Sequence, residues 1–278
     1  MEQPLPLLQR REGAVLVLSN NNPAARNALS PAFYAALTEA LAQAEADPTV
    51  GAIVLTGEGG HFCAGGDLRQ LAKRRELPVE ERRAKLEGLH DLIRAVRDCR
   101  KPVIAAVEGA AAGAGLSLAL ACDMLVAAKN AVFSVAYVKV GLTPDGGATA
   151  FLAEFVSRQV LTELCLTGER ISGERLHALG PVNRLAEPGE ALTQALALAA
   201  QVATGPDTAM ANIKALCRSA YAQPLADQLE LEAQLMVQSQ ATEESREGIA
   251  AFLEKRPADF ARLRQAPATA ATQPDTTK

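Results

Sequence analysis

HFCAGGDL, at residues 61–68, is the most informative segment of the sequence, because its two glycines and acidic residue come shortly after an apolar run. That run, Ala52 to Thr56, predicts a buried strand. A second glycine-rich segment, GAAAGAGLS at residues 109–117, follows another predicted strand, Val103 to Val107. Glycine-rich turns that open a helix leave backbone N–H groups suited to an anion or a developing oxyanion. Taken singly, each turn is also explained by tight packing alone.

Neither turn has the pattern of a nucleotide-binding loop. Gly-x-Gly-x-x-Gly after a first strand is absent from both, and neither contains Gly-Lys followed by Ser or Thr. The chain of 278 residues is 49% hydrophobic and 22% charged, which excludes a disordered chain. Its net charge of −4, its 4% aromatic content and its lack of Trp argue against nucleic acid as a partner.

The cysteines and the apolar segments predict a cytoplasmic protein without a membrane span. Five scattered cysteines without a Cys-x-x-Cys pair suit a reducing compartment and predict neither a disulfide framework nor a zinc site. The N-terminus shows no basic segment followed by an apolar run, so no secretory signal is predicted. The most apolar stretch, residues 110–128, is interrupted by Gly113, Gly115 and Asp123.

Alternating short strand and helix patterns predict an α/β fold. Ser30 and Pro31 mark the start of the first predicted helix, as its N-cap and its first residue. We predict a core over residues 1–200, a helical oligomerisation region over 201–262 and a disordered tail over 263–278.

Five motifs, in this order and at this spacing, resemble the crotonase superfamily, also called enoyl-CoA hydratase/isomerase. They are FCAGGDL (62–68), KPVIAAVEG (101–109), ACD (121–123), VGLTPDGG (140–147) and LTG (166–168). The segment EGIAAFLEKRPADF (247–260) strengthens the match, which covers residues 8–262. The resemblance implies a spiral of ββα units with a C-terminal helical trimerisation region. It also implies an acyl-CoA thioester substrate and assembly as a homotrimer or a dimer of trimers.

The resemblance assigns binding roles to particular residues. By residue match, the backbone amides of Ala64 and Ala114 bind the thioester oxygen as it becomes an enolate. Arg26 matches a position near the CoA nucleotide, and Lys255 is expected to reach the CoA of a neighbouring subunit. Further CoA contacts are expected at Ala64, Gly66, Asp67 and Leu68, and the acyl pocket is expected to include Leu71, Leu77, His90, Ser117 and Tyr137.

Two departures from the family pattern shape the functional prediction. Hydratases of the family carry two glutamates that add water across the double bond, and Ser117 and Tyr137 stand at those positions. Asp145 remains, where isomerase members place a single acidic residue, and the chain looks most like the ring-epoxide and enoyl-CoA isomerases of aromatic-acid degradation. One carboxylate can move a proton between two carbons if it reaches both. Asp145 could also cap the helix that follows it.

Other functions remain open from the sequence. Dehalogenases of the family have a histidine at the position of His90 and a nucleophilic aspartate at that of Asp145, although a polar position on a helix surface is the preferred explanation of His90. A hydrolase, a hydratase with an atypical site and a non-catalytic member are further alternatives. His61 and His177 have no ligands at metal-binding spacing, so no metal is predicted. No separate cofactor is expected either, since CoA is part of the substrate.

Overall fold

The computed structural model describes residues 4–265. Its strands are β1 (Leu7–Glu12), β2 (Val15–Asn20), β3 (Ala52–Gly57), β4 (Val103–Val107), β5 (Ala110–Ala112), β6 (Met124–Ala128), β7 (Val132–Ser134), β8 (Ile171–Ser172) and β9 (Arg184–Ala186). Its helices are α1 (Pro31–Ala46), α2 (Leu68–Arg74), α3 (Val79–Asp98), α4 (Ala114–Ala121), α5 (Ala148–Ala153), α6 (Arg158–Thr167), α7 (Gly173–Leu179), α8 (Ala191–Ala203), α9 (Asp207–Ser219), α10 (Leu225–Gln240), α11 (Glu243–Glu254) and α12 (Phe260–Gln265).

A six-stranded sheet in the order β1-β2-β3-β4-β6-β9 forms the centre of the fold. The β1/β2 pair is antiparallel, and every other neighbouring pair is parallel. Parallel strands need helical crossovers, which explains the alternation of strands and helices along the chain. The α/β prediction is therefore confirmed.

Helices cover both faces of this sheet, so its central strands are almost continuously apolar. On one face, the small residues of α8 pack against side chains that include Val17, Val54 and Ile104. On the other face, α1, α3 and α4 contribute Phe33, Leu92 and Leu118 to the larger core. Alanines at many of these positions let helix and sheet approach closely, as the composition indicates.

The start of α1 agrees with the sequence prediction. The Ser30 side chain accepts a hydrogen bond from the Phe33 amide at 3.2 Å, and Pro31 is the first helical residue. The predicted boundary at residues 200 and 201 is wrong, because α8 continues through it to Ala203 while packed on the sheet. The predicted tail also began too early, since residues 263–265 belong to α12. The remaining tail residues, 266–278, lie outside the described residues.

A cluster of charges attaches the C-terminal helices to the sheet. Asp207, the first residue of α9, pairs with Lys101 at 2.5 Å and with Arg264 of α12 at 2.8 Å. Lys214 of α9 pairs with Asp123 at 2.6 Å and donates to two backbone carbonyls between α3 and β4. No helix within residues 4–265 is both long and apolar enough to cross a bilayer.

Candidate active site

The two glycine-rich turns lie side by side. The Cys63 amide donates to the Ala110 carbonyl at 2.9 Å, and the Ala112 amide donates to the Cys63 carbonyl at 3.0 Å. This short parallel bridge brings residues 63–66 next to the N-terminus of α4. Gly115 allows the approach, because a Cβ at that position would lie 2.3 Å from the Cys63 carbonyl oxygen. The packing explanation therefore applies to Gly115.

The amide of Ala64 is not available to a substrate. It donates to the Arg26 carbonyl at 2.9 Å, so the prediction that Ala64 supplies an oxyanion donor is wrong. The Gly65 amide faces the Cys63 sulfur at 3.4 Å. By contrast, neither the exposed Gly66 amide nor the Ala114 amide donates a hydrogen bond within residues 4–265. The Gly66 amide on the first turn and the Ala114 amide on the second are therefore among the free donors of this site.

Asp145 lies beside the positions where family hydratases carry glutamates. The Tyr137 hydroxyl donates to Asp145 Oδ1 at 2.7 Å, and the Ser117 hydroxyl donates to the Asp145 carbonyl oxygen at 2.9 Å. Asp145 does not cap a helix with its side chain, because α5 begins at Ala148 and Gly147 is its N-cap. The expectation of a capping role for Asp145 is therefore wrong, and the carboxylate is held by a phenol instead.

The Asp145 group adjoins the free amide of Ala114. Ser117 lies three residues after Ala114 on α4, on nearly the same side of the helix. A Cβ at Gly113, which precedes Ala114, would lie 3.7 Å from Cζ of Tyr137. The Tyr137 ring therefore lies where it would contact a side chain at Gly113, the residue before the amide.

Burial keeps the phenols around Asp145 protonated. Burial raises the pKa of Tyr137 well above its ordinary value, and the Asp145 charge raises it further. Burial also raises the pKa of Tyr34 to about 12, with Arg74 opposing and Asp145 adding to the shift. Tyr137 is consequently a neutral donor to the Asp145 carboxylate at any physiological pH.

Comparison with known proteins assigns the chain to a family. A family profile described as enoyl-CoA hydratase/isomerase matches residues 10–263. The chain belongs to the enoyl-CoA hydratase/isomerase family. It is thus an enzyme of the crotonase superfamily, with hydratase/isomerase-type activity on acyl-CoA thioesters, and the resemblance found in the sequence is confirmed.

The relatives of this family member include proteins named as isomerases and proteins named as hydratases. It is 35% identical to 1,2-epoxyphenylacetyl-CoA isomerase of Escherichia coli K12 over 255 residues, which are 91% of this chain and 97% of that protein. It is also 35% identical to 2,3-dehydroadipyl-CoA hydratase of the same organism over 255 residues, 91% of this chain and 98% of that protein. The crystal structure of an enoyl-CoA hydratase from Polaromonas sp. JS666 has 50% sequence identity and a TM-score of 0.87, over 91% of this chain and 98% of that one.

The segment after the first turn contains two of the expected acyl-pocket residues of this family member, Leu71 and Leu77. Asp67 caps α2 by accepting from the amides of Arg69 at 2.8 Å and Gln70 at 3.4 Å. A Cβ at Gly66 would lie 3.3 Å from Leu71, which is half-buried, as is Leu77. Leu68 is 58% exposed. Asp67 thus stabilises the helix start that follows the free Gly66 amide.

His90 lines a cavity next to the Asp145 loop, and among the described residues it forms no hydrogen bond to Asp145. Its Nδ1 is 3.7 Å from a carboxylate oxygen of Glu87, one turn earlier on α3. Its side chain lines a cavity of about 600 Å³ together with Gly146, Gly147 and Arg97.

Arg26 and Lys255 are both exposed and both have left-handed backbone conformations. Lys255 ends α11, next to the pair formed by Glu247 and Arg256 at 2.7 Å. Hydrogen bonds from Arg256 and from the Asp259 amide lower the pKa of Glu247 to about 2. Among residues 4–265, no three His, Cys, Asp or Glu side chains lie close enough together to hold a metal ion.

Sequence reasoning missed the roles of Gly66 and Asn27. Gly66 was expected to contact CoA, but nothing in the local pattern separates its amide from that of Ala64. Asn27 is fully buried with φ of +57°, and its side chain donates to the carbonyls of Glu58, just before HFCAGGDL, and of His61, its first residue. An asparagine after a turn-rich stretch could have indicated a left-handed residue, although not its partners.

Proposed function

We propose that this enzyme is an acyl-CoA isomerase, which shifts a double bond or rearranges an epoxide in an enoyl-CoA-type thioester. The observation that carries the proposal is the Asp145 carboxylate, held at 2.7 Å by the hydroxyl of Tyr137, whose ring lies near Gly113, the residue before the free amide of Ala114. Hydroxyl groups occupy the positions of the two hydratase glutamates. A single carboxylate is sufficient for isomerisation, which moves one proton and consumes no other reactant.

The free amides of Gly66 and Ala114 are proposed to bind the thioester oxygen. Asp145 then removes a proton from the carbon next to the carbonyl, and the electrons move onto the oxygen as an enolate. The same carboxylic acid returns the proton two carbons away, which leaves the double bond conjugated with the carbonyl. Each oxyanion donor of this kind typically contributes about 10²- to 10³-fold in rate.

Tyr137 and Ser117 are proposed to position Asp145 rather than to act as bases. Both donate to Asp145, one to its carboxylate and one to its backbone carbonyl. Because burial raises the pKa of Tyr137, the phenol stays protonated and cannot take up the substrate proton. These contacts favour a single acid–base group over the two that family hydratases use.

CoA binding is proposed to use the exposed cations Arg26 and Lys255, whose charges suit phosphates. Leu71 and Leu77 are proposed to contact the acyl group, with Ala64, Gly66, Asp67 and Leu68 beside the pantetheine. The reaction is redox-neutral and needs no cofactor beyond the CoA of the substrate. The five free thiols within the described residues support a cytoplasmic location.

Replacement of Asp145 tests the proposal. We expect Asp145→Asn to lower the rate of conversion of a 3-enoyl-CoA to the conjugated 2-enoyl-CoA by at least about 10³-fold, because the proton carrier is lost. The change is measured by the absorbance of the conjugated thioester and by deuterium exchange from solvent into the acyl carbons. Asp91→Asn, the same replacement on the exposed surface of α3, is the control. Undiminished isomerisation by Asp145→Asn would contradict the assignment.

The same enzyme preparation separates the alternatives. A covalent acyl adduct on Asp145, detected by mass spectrometry, would indicate a hydrolase or dehalogenase, although the lack of a hydrogen bond between His90 and Asp145 among the described residues does not favour one. Water addition to a 2-enoyl-CoA that exceeds isomerisation would indicate a hydratase. Binding of acyl-CoA without any deuterium exchange would indicate a non-catalytic member.

A further inference from the structure

The segment of residues 26–29 makes four hydrogen bonds to the first glycine-rich turn and the residues just before it. Two are backbone contacts: the Arg26 carbonyl accepts from the Ala64 amide at 2.9 Å, and the Leu29 amide donates to the Gly65 carbonyl at 2.8 Å. The other two are made by the Asn27 side chain, whose Nδ2 donates to the Glu58 carbonyl at 2.8 Å and the His61 carbonyl at 2.6 Å.

One of these contacts sets the direction of the Gly66 amide. The Gly65 carbonyl and the Gly66 N–H belong to one planar trans peptide unit, so they point in opposite directions. Because Leu29 holds the Gly65 carbonyl, the Gly66 N–H must point away from residues 26–29. The Ala64 amide is bonded to the Arg26 carbonyl, so Gly66, unlike Ala64, is an outward donor of this turn.

Asn27 holds residues 26–29 in a conformation with two consecutive positive φ angles. Arg26 and Asn27 have consecutive positive φ values of +50° and +57°, which is costly for residues other than glycine. Asparagine tolerates this region better than most residues. Its Oδ1 accepts from the Asn22 amide at 2.9 Å, so both side-chain donors and the acceptor of this fully buried residue are bonded.

We propose that Asn27 is a positioning residue for the oxyanion donor Gly66. Its side-chain hydrogen bonds join residues 58–61 to residues 22–29. These bonds keep the Leu29 amide in position to donate to the Gly65 carbonyl. Asn27 need not touch the substrate, and it acts through the orientation of one peptide unit. This inference rests on the proposed oxyanion site but not on the role of Asp145.

Two replacements of Asn27 remove its side-chain hydrogen bonds in different ways. Asn27→Asp is nearly isosteric, but it places a carboxylate oxygen against the carbonyls of Glu58 and His61. Asn27→Gly relieves the backbone strain and removes all three side-chain bonds, so it serves as the second variant if the aspartate variant does not fold. Asn212→Asp is the matched control, because it loses a single side-chain donor bond, to Ser239, between α9 and α10.

The readout is the infrared stretch of a thioester carbonyl labelled with ¹³C in butyryl-CoA, bound at saturation. Hydrogen bonds from Gly66 and Ala114 should lower this frequency in the wild-type enzyme. The shift should be equal in Asp145→Asn, because Asp145 is not one of the proposed donors to the carbonyl oxygen. Butyryl-CoA has no double bond to move, so no isomerisation takes place during the measurement. Both Asn27 variants should lose about half of the shift, while Asn212→Asp keeps it. In the isomerase assay, kcat should fall roughly tenfold to a hundredfold with KM little changed.

The outcomes are distinguishable from those of the Asp145 experiment. A full carbonyl shift in both Asn27 variants would overturn the positioning role and leave the proposed isomerase function intact. No shift in the wild-type enzyme would also overturn it, because there would be no oxyanion contact to position. If Asp145→Asn proves fully active while the Asn27 variants lose the shift, the positioning role stands and the Asp145 assignment fails.

Discussion

At the scale of single residues, the proposed chemistry depends on a carboxylate whose neighbours are hydroxyl groups. Tyr137 donates to Asp145 Oδ1, and Ser117 lies within 3.5 Å of the Tyr137 hydroxyl. A charged group held by a short hydrogen bond loses fewer orientations when substrate binds. Ser117 and Tyr137, at the positions where family hydratases have glutamates, therefore affect the orientation of Asp145, although neither is acidic.

Removal of the Tyr137 hydroxyl should weaken catalysis without abolishing it. We expect Tyr137→Phe to lower kcat for 3-enoyl-CoA isomerisation about tenfold, because a hydrogen bond to a charged group contributes about 1.5–3 kcal/mol. KM should change little, since the ring itself remains. Steady-state kinetics checks this, with Tyr221→Phe at an exposed tyrosine as the control. An unchanged kcat in Tyr137→Phe would show that Asp145 needs no such support.

At the scale of secondary-structure elements, the first turn of α9 joins the C-terminal helices to the sheet. Asp207 lies between Lys101 and Arg264, whose side chains are 8% and 5% exposed. Charges this deeply buried are tolerated only when they are paired. The contacts of Asp207 therefore explain how helices far apart in sequence are held against one core.

Neutralising Asp207 should destabilise the fold. We expect Asp207→Asn to lower the free energy of unfolding by about 3 kcal/mol, because two buried cations lose their counter-charge. Urea denaturation followed by circular dichroism measures the change. Asp227→Asn, in the first turn of α10, is exposed and is the matched control. Equal stability of the two variants would mean that the buried cluster contributes no net stability.

At the scale of the whole molecule, the outer helices leave large apolar side chains uncovered. On α10 and α11 these are Leu225, Leu229, Met236, Val237, Ile249, Phe252 and Leu253, of which Phe252 is 84% exposed. Large apolar side chains exposed in this number on two successive helices are typical of an interaction surface. It supports the proposal, which the family resemblance implies, that the enzyme assembles as a homotrimer or a dimer of trimers.

Sedimentation velocity tests the assembly. We expect a mass three or six times the 29.2 kDa of the chain. Phe252→Asp should shift the enzyme toward smaller species, because burying an unpaired charge in an interface is costly. Val79→Asp, at an exposed apolar residue at the start of α3, should leave the mass unchanged. A wild-type enzyme that sediments as a monomer would contradict the proposal.

The sequence alone determined the family, the α/β fold and the absence of the two glutamates, because these follow from residue types at characteristic spacings. It also placed Asp145 in the loop before α5, where the fold brings it to Ser117 and Tyr137. It failed at the domain boundary inside α8, because helix propensity does not show which helices pack on the sheet.

Only the tertiary structure decided which backbone amides are free. Ala64 and Gly66 belong to the same turn, and their local patterns do not distinguish them. The Arg26 carbonyl, 38 residues earlier in the chain, occupies the amide of Ala64, and Leu29 turns that of Gly66 outward. The partners of a backbone group are set by contacts between distant segments, and these form only once the chain is folded.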